Sequence, residues 1–203
     1  RSVYSILTND DDQNRWDEEA WANNPYAEFY YLCQADAYDD IIKGCGLVDE
    51  RWSSSEQKSA MKKFHVFVND NGPDYNVQFF NNYRYTIFVP TNDAVRAAIA
   101  AGLPTWEQIE EDYKAHRKKE WDPETNDWKQ SPDSRPDSIV YEYTDALETT
   151  EDSLRIATKI TYLTNFIRYH FADNSVFADK SPLADNEMVT SSFDSELGLF
   201  GKI

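Results

Sequence analysis

Long apolar runs are missing from this 203-residue sequence. No stretch approaches the roughly 18 consecutive apolar residues that a membrane-spanning helix needs. The chain opens at Arg1 without a basic n-region followed by an apolar h-region, so no signal peptide is visible; a cytosolic protein and a mature or trimmed chain both fit. Cysteine is scarce: Cys33 and Cys45 stand twelve residues apart, outside any CxxC and without a matching histidine pattern, which argues against zinc. A single disulfide and a pair of free buried thiols both remain open. Positive charge is in deficit, with 20 Lys and Arg against 37 Asp and Glu and a formal net charge of −17. Such a surface repels phosphate backbones and anionic lipid headgroups, which excludes nucleic-acid binding and electrostatic membrane docking as leading functions.

What is present is aromatic: 15% of residues are Phe, Trp or Tyr, too many for a disordered acidic polymer. The length suits one domain with a substantial core. The acidic stretch after Thr8 resembles a calcium loop, with Asp10, Asp12 and Asn14 at alternating ligand positions. However, Arg15 stands where a glycine is needed and Trp21 where a bidentate glutamate is needed, so a solvated acidic turn is expected.

Helical spacing of Tyr26, Phe29, Tyr30, Cys33, Ala37 and Ile41 predicts a helix over 25–48, with Pro25 in its first turn and Gly44 and Gly46 ending it. The opening SVYSILT reads as a short helix or strand, and Glu56–Lys63 as a short helix. Two β-rich pieces, 64–68 and 75–80, flank the turn-rich Asn69-Asp70-Asn71-Gly72-Pro73 and predict an extra hairpin near 64–80. Thr105 with Gln108 forms a capping-box pattern that predicts a helix over 105–121. Residues 121–138 contain three prolines and no periodicity, and are read as a long loop. A stripe of Leu154 or Ile156 with Ile160, Leu163, Ile167 and Phe171 predicts a helix over 153–172, and short strands are expected in NEMVTSSF and LGLFGKI near the end.

Between these, YTIFVPTNDAVRAAIAAG turns from strand to helix. Thr86 to Val89 favour a sheet, Pro90 ends pairing, Thr91 or Asn92 can cap the helix, and Asp93 suits its positive end. Ala94, Ala97, Ala98 and Ala101 are read as permitting close approach to a neighbour. No glycine-rich phosphate cradle or nucleophile sits on the bend, so it is architectural.

The segment TIFVPTNDAV, with Thr86, Phe88, Pro90, Thr91, Asn92 and Asp93, resembles the first signature of fasciclin-type adhesion domains. NFIRYHF, with Tyr169 and His170, resembles the second, and the order is right. The resemblance implies a single fasciclin-like α+β domain over 1–203, a wedge-shaped β-sandwich with packed helices in which those residues are structural and meet as scaffold. Two departures stand out. About seventy residues separate Val95 from Tyr169, so a region near 110–150 is inserted. The family also has further strands to close the wedge, whereas this sequence stops at Ile203; the sandwich is therefore expected to lack its final strands or to take them from a partner. Large insertions of this kind are similar to fasciclin-like surface lipoproteins of Gram-negative gut bacteria.

His65, His116 and His170 are scattered, neither cysteine has a nucleophile's companion, and no cofactor motif or metal-ligand pattern appears, so no cofactor and no metal are expected. The expected function is non-enzymatic adhesion or binding at the cell surface or outside the cell, through protein or glycan contacts. The alternatives are an accessory outer-membrane-anchored lipoprotein of a β-barrel nutrient (glycan) importer and, last, an enzyme of unknown class. Trp121, Trp128, Tyr141 and Tyr143 are rigid aromatics in a polar insertion and are the candidate partner or glycan contacts. The competing reading has those rings folded back onto the domain to anchor the loop.

Overall fold

The computed structural model describes Leu7 and residues 23–47, 66–68, 76–77, 86–172, 192–194 and 200–202. The expected acidic turn and the helix at Glu56–Lys63 lie outside these, as does the opening SVYSILT apart from Leu7. Helices α1 (Ala27–Leu32) and α2 (Asp39–Gly44) frame a 3-10 turn at Asp36–Tyr38. Short strands β1 (Phe67–Val68), β2 (Asn76–Val77) and β3 (Thr86–Ile87) follow, then α3 (Asn92–Ala100) and α4 (Trp106–Ala115). Next come β4 (Arg117–Lys119), β5 (Trp121–Asp122), β6 (Asp127–Trp128) and β7 (Tyr143–Leu147), then the long α5 (Thr150–Tyr169). Strands β8 (Phe171–Ala172), β9 (Ser192–Asp194) and β10 (Phe200–Lys202) complete the order. The fold is mixed α+β, and its described strands pair antiparallel in small sheets.

The core forms where amphipathic faces converge. Ile156, Ile160, Leu163 and Ile167 of α5 are all buried, and Ile109 and Tyr113 of α4, Phe29 and Leu32 of α1, and Ile41 and Ile42 of α2 join them in one cluster. Of the two alternatives for the start of the α5 stripe, Ile156 belongs to it, whereas Leu154 is 69% exposed. Trp106 donates its indole N–H to the Leu32 carbonyl at 2.8 Å and stacks on Tyr38 at 5.0 Å. That bond ties off a carbonyl at the end of α1. What the sequence presents as one helix over 25–48 is broken at Cys33–Ala35. Cys33 and Cys45 are both buried free thiols, and burial raises the pKa of each, Cys45 to about 11.

Helix ends follow local chemistry. Thr91 caps α3 by accepting from the Ala94 N–H. Thr105 and Gln108 form a reciprocal capping box on α4, and Thr149 caps α5 through the Asp152 N–H. Gly46 and Gly102 adopt φ of 70° and 108° just past α2 and α3. Each is followed by a six-to-one bond, Leu47 N–H to Ile42 O and Leu103 N–H to Ala98 O, that closes the helix end. Gly44 does something else. It is the last residue of α2, and a Cβ there would lie 2.6 Å from the Asp145 carbonyl oxygen and 2.8 Å from the Tyr113 hydroxyl, so its role is close approach rather than helix termination.

The strand-to-helix bend meets the end of α5. Thr86 and Ile87 register with Ala172 and Phe171, and the Phe88 N–H donates to the His170 carbonyl at 2.9 Å. Asn92 then ties the bend to the start of α1: its side-chain oxygen accepts from the Glu28 N–H, its side-chain amide donates to the Asn24 carbonyl, and its own N–H donates to the Pro25 carbonyl. Buried Asn24 in turn donates to the Leu7 carbonyl and accepts from the Tyr26 N–H. The alanines of α3 do not act as read from sequence. Ala94, Ala97 and Ala101 are exposed and Ala98 only half-buried, while Val95 supplies the buried contact; the alanines favour the helix by propensity.

The expected hairpin near 64–80 coincides with an antiparallel pairing of Phe67–Val68 with Val77–Asn76. Near the end, Ser192–Asp194 pairs with Lys202–Phe200, overlapping the two pieces read as strand-like and extending one residue past the first. The region after α4 departs most from the sequence reading. Helix α4 ends at Ala115 rather than near Trp121, and the supposed loop 121–138 is threaded by strands.

Candidate functional site

Residues 117–147 form a β arm of three segments, 117–122, 127–131 and 140–147, in which each pairs with both others. Arg117–Lys119 pairs with Tyr143–Leu147, Trp121–Asp122 with Asp127–Trp128, and Gln130 bridges to Tyr141. The three meet at one point, where backbone bonds close a cycle: Glu120 N–H to Glu142 O at 2.9 Å, Lys129 N–H to Glu120 O at 2.8 Å, and Glu142 N–H to Lys129 O at 2.9 Å.

Two tight tips lead away from this junction. At the first, the Asp122 side chain accepts from the Glu124 N–H at 2.9 Å, and Asn126 takes φ 54°, a left-handed conformation asparagine tolerates. The Glu124 N–H and the Thr125 hydroxyl hold the Asp122 carboxyl below its ordinary pKa. At the second, Arg135 and Ser138 exchange two backbone bonds of 3.0 Å, and Ser134 bonds Val140 through its hydroxyl.

Strand geometry sorts the side chains. Cross-strand partners share a face, and residues two apart return to it. Lys119 opposes Tyr143; Trp121 opposes Trp128; Gln130 opposes Tyr141; and Tyr141 leads back to Tyr143. The circuit closes consistently, so all four sequence-predicted aromatics lie on one face with Lys119 and Gln130; the register shifts between Lys119 and Arg117, whose place beside this face rests on its contact with Tyr143. Direct contacts agree with that assignment. The Trp121 and Trp128 rings meet edge-on at 5.2 Å and 88°, Lys119 Nζ sits 4.0 Å from the Tyr141 ring centroid, and the Arg117 guanidinium lies 6.0 Å from that of Tyr143. On the opposite face Lys129 bridges Glu142 at 2.6 Å and Glu120 at 3.4 Å. The Glu142 carboxylate, then Glu120, raises the Lys129 pKa.

These rings do not fold back onto the body. Trp121 is 48%, Trp128 38% and Tyr143 41% exposed, Tyr141 is half-buried, and no residue from Trp121 to Val140 belongs to the core. The cations Arg117 and Lys119 and the amide Gln130 escaped the sequence reading, although each stands two residues from an aromatic or on the same strand face as one.

The base of the arm is fixed to the helices. Tyr113 donates its hydroxyl to the Asp145 carbonyl at 2.7 Å, Gly44 lets α2 pack against that same carbonyl, and Arg117 donates to the Thr144 and Tyr143 carbonyls. Beside it, Asp112 of α4 accepts from Arg155 and Lys159 of α5 at 2.9 and 2.6 Å, and Arg155 also pairs with Asp152. The Arg155 bond, with Lys159 adding, lowers the Asp112 pKa to about 2 against partial burial. His116, at the end of α4, sets Nδ1 2.8 Å from the Asp112 carbonyl, which requires that nitrogen to carry the proton. This cluster is a packed ion-pair network between helices.

His170 caps α5 and donates through Nδ1 to the Phe166 carbonyl at 2.8 Å, its ring packed against Phe29 at 5.3 Å and Phe166 at 4.8 Å. Burial lowers its pKa. Tyr169 points outward, 56% exposed. The residues Thr86, Phe88, Pro90, Thr91, Asn92, Asp93, Tyr169 and His170 thus surround one joint between β3, α3, β8 and the end of α5. Among the described residues no group of three or more His, Cys, Asp or Glu side chains could hold a metal ion, and no helix is long and apolar enough to cross a membrane.

No family model matches the chain, and no curated protein or solved structure shows significant similarity to it.

Proposed function

We propose that the chain is a non-enzymatic binding module of the fasciclin type, displayed at the cell surface, which holds protein or glycan partners on the aromatic face of its β arm. In this reading the small sheets belong to the wedge-shaped sandwich of that fold, the joint at Pro90 and His170 is scaffold, and the inserted arm carries the function. One observation supports it above the rest: strand parity gathers Trp121, Trp128, Tyr141 and Tyr143 onto a single exposed face instead of the core. Large rigid rings left in water are poor for folding and good for contact, because they bring much apolar area with few rotatable bonds.

The test is a Trp121→Ala/Trp128→Ala double variant, checked first for unchanged melting temperature. It is then compared with the parent for retention of partners from native membranes and for binding across a glycan array. Loss of partner or glycan retention by about tenfold or more is expected, the scale of removing central aromatic anchors. Undiminished retention by a folded double variant would overturn the reading. Co-purification of a β-barrel transporter that is lost in the variant would assign the module to an importer complex as its accessory lipoprotein.

A further inference from the structure

We infer that the arm's aromatic face takes a carboxylate-bearing oligosaccharide, with sugar rings on the open faces of Trp121 and Trp128 and the carboxylate on Lys119. This rests on the arm being the binding surface. Its starting point is the different treatment of Arg117, Lys119 and Lys129 among the cations of the arm. Lys129 is neutralised by Glu142 and Glu120, and Arg117 pairs with Asp145 at 3.3 Å. Lys119 is given a ring instead: its ammonium sits 4.0 Å from the Tyr141 ring centroid, and no carboxylate among the described residues forms an ion pair with it. In a chain carrying 37 acidic residues, a cation set among aromatics and left without one stands ready to receive an anion from outside.

The rest of the face selects the kind of molecule. Because Trp121 and Trp128 meet edge-on, at least one side of each indole is not covered by the other. Around them stand Gln130, Lys119 and the tyrosines, which offer hydrogen-bonding groups between flat rings. A sugar ring brings an apolar C–H face bordered by hydroxyls, which matches rings interleaved with polar groups. The overall negative charge does not forbid an anionic ligand. The acidic residues nearest Lys119 are already engaged, Glu120 and Glu142 by Lys129 and Asp145 by Arg117, and at physiological ionic strength the fields of those farther off decay over ~8 Å.

The probe is a hexamer of galacturonic acid, set against the same hexamer fully methyl-esterified, which keeps the rings and removes the charge. Binding to the full chain is followed by tryptophan fluorescence and calorimetry. The acid form should bind roughly tenfold more tightly, the worth of one charge-assisted hydrogen bond. Lys119→Met should bring the acid form down to the ester's affinity, Lys119→Arg should keep the preference, and Trp121→Ala/Trp128→Ala should abolish binding of both. Equal affinity for acid and ester, or a preference untouched by Lys119→Met, overturns the carboxylate assignment while leaving the arm as binding surface. Binding of polyglutamate with neither hexamer bound overturns the sugar assignment. Failure of the tryptophan double variant to change either hexamer's binding, or any partner's, removes the surface itself.

Discussion

Between α4 and α5 the molecule is held by burial: Ile109, Tyr113, Ile156, Ile160 and Leu163 have almost no exposed surface. Six residues beyond the end of α4 the rule changes. From Trp121 to Val140 no residue is buried, yet the backbone is ordered by hydrogen bonds that run between three segments and by turns that cap themselves. The body gains from hiding apolar area, at about 25 cal/mol per Å². The arm satisfies its backbone and leaves its rings outside. The contrast separates residues that keep the chain folded from residues free to meet something else.

The sharpest way to break that contrast is a cavity in the body. Ile160→Ala should cost about 2–5 kcal/mol in a denaturant titration, because the side chain is fully buried and its neighbours cannot close around the void. Gly44→Ala comes next and probes the seam between the regions. The added methyl meets the Asp145 carbonyl and the Tyr113 hydroxyl, so about 1–3 kcal/mol should be lost, with hydrogen exchange accelerating first at the base of the arm. Uniform acceleration along the arm and body would instead make them one cooperative unit.

Asp112→Asn is a smaller perturbation with a pH signature. The folded chain holds this carboxyl at about 2 against an ordinary 3.8, so its contribution is complete above about pH 4 and disappears as pH falls through 2. The variant should lose about 1–2 kcal/mol at neutral pH and show a flatter acid limb in stability against pH. An acid limb as steep as the parent's would mean other carboxylates govern it. Trp121→Ala should cost under about 1 kcal/mol, its side chain being 48% exposed and paired edge-on with Trp128. A loss as large as that of Ile160→Ala would erase the division of labour. The smallest effect is expected at Thr164, whose buried hydroxyl has no hydrogen-bond partner among the described residues. Thr164→Val should be neutral or stabilising by up to about 1 kcal/mol in thermal melts.

The body was legible in the sequence and the arm was not. Thr105 with Gln108, the α5 stripe and the strand-to-helix turn at Pro90 each announce themselves within a few neighbouring residues, and the structure forms them there, except that Phe171, expected as the stripe's last member, lies past α5 in β8. Helix α4 was overextended because Arg117-Lys118-Lys119 are good helix formers whose strand conformation is imposed by Tyr143–Leu147, more than twenty residues away. The arm's strands are too short for periodicity to register, and its prolines read as loop. A weaker signal was present: Lys119-x-Trp121, Trp128-x-Gln130 and Tyr141-x-Tyr143 each repeat at two, and only pairing shows that they share a face. The aromatic candidates were found because rings in a polar stretch are conspicuous. Lys119 was missed because one lysine in a basic triplet looks like any other until its neighbours are known.

The ring of backbone hydrogen bonds joining Glu120, Lys129 and Glu142 gives the arm the character of a hub with spokes. Each strand is shared between two neighbours, so removing any one leaves the other two half paired, and the unit should order or collapse as a whole. The two outer bends lie beyond that hub and carry no part of it. Lengthening them at Pro123–Asn126 or Pro132–Asp137 would therefore reshape what the arm can reach without loosening how it is attached.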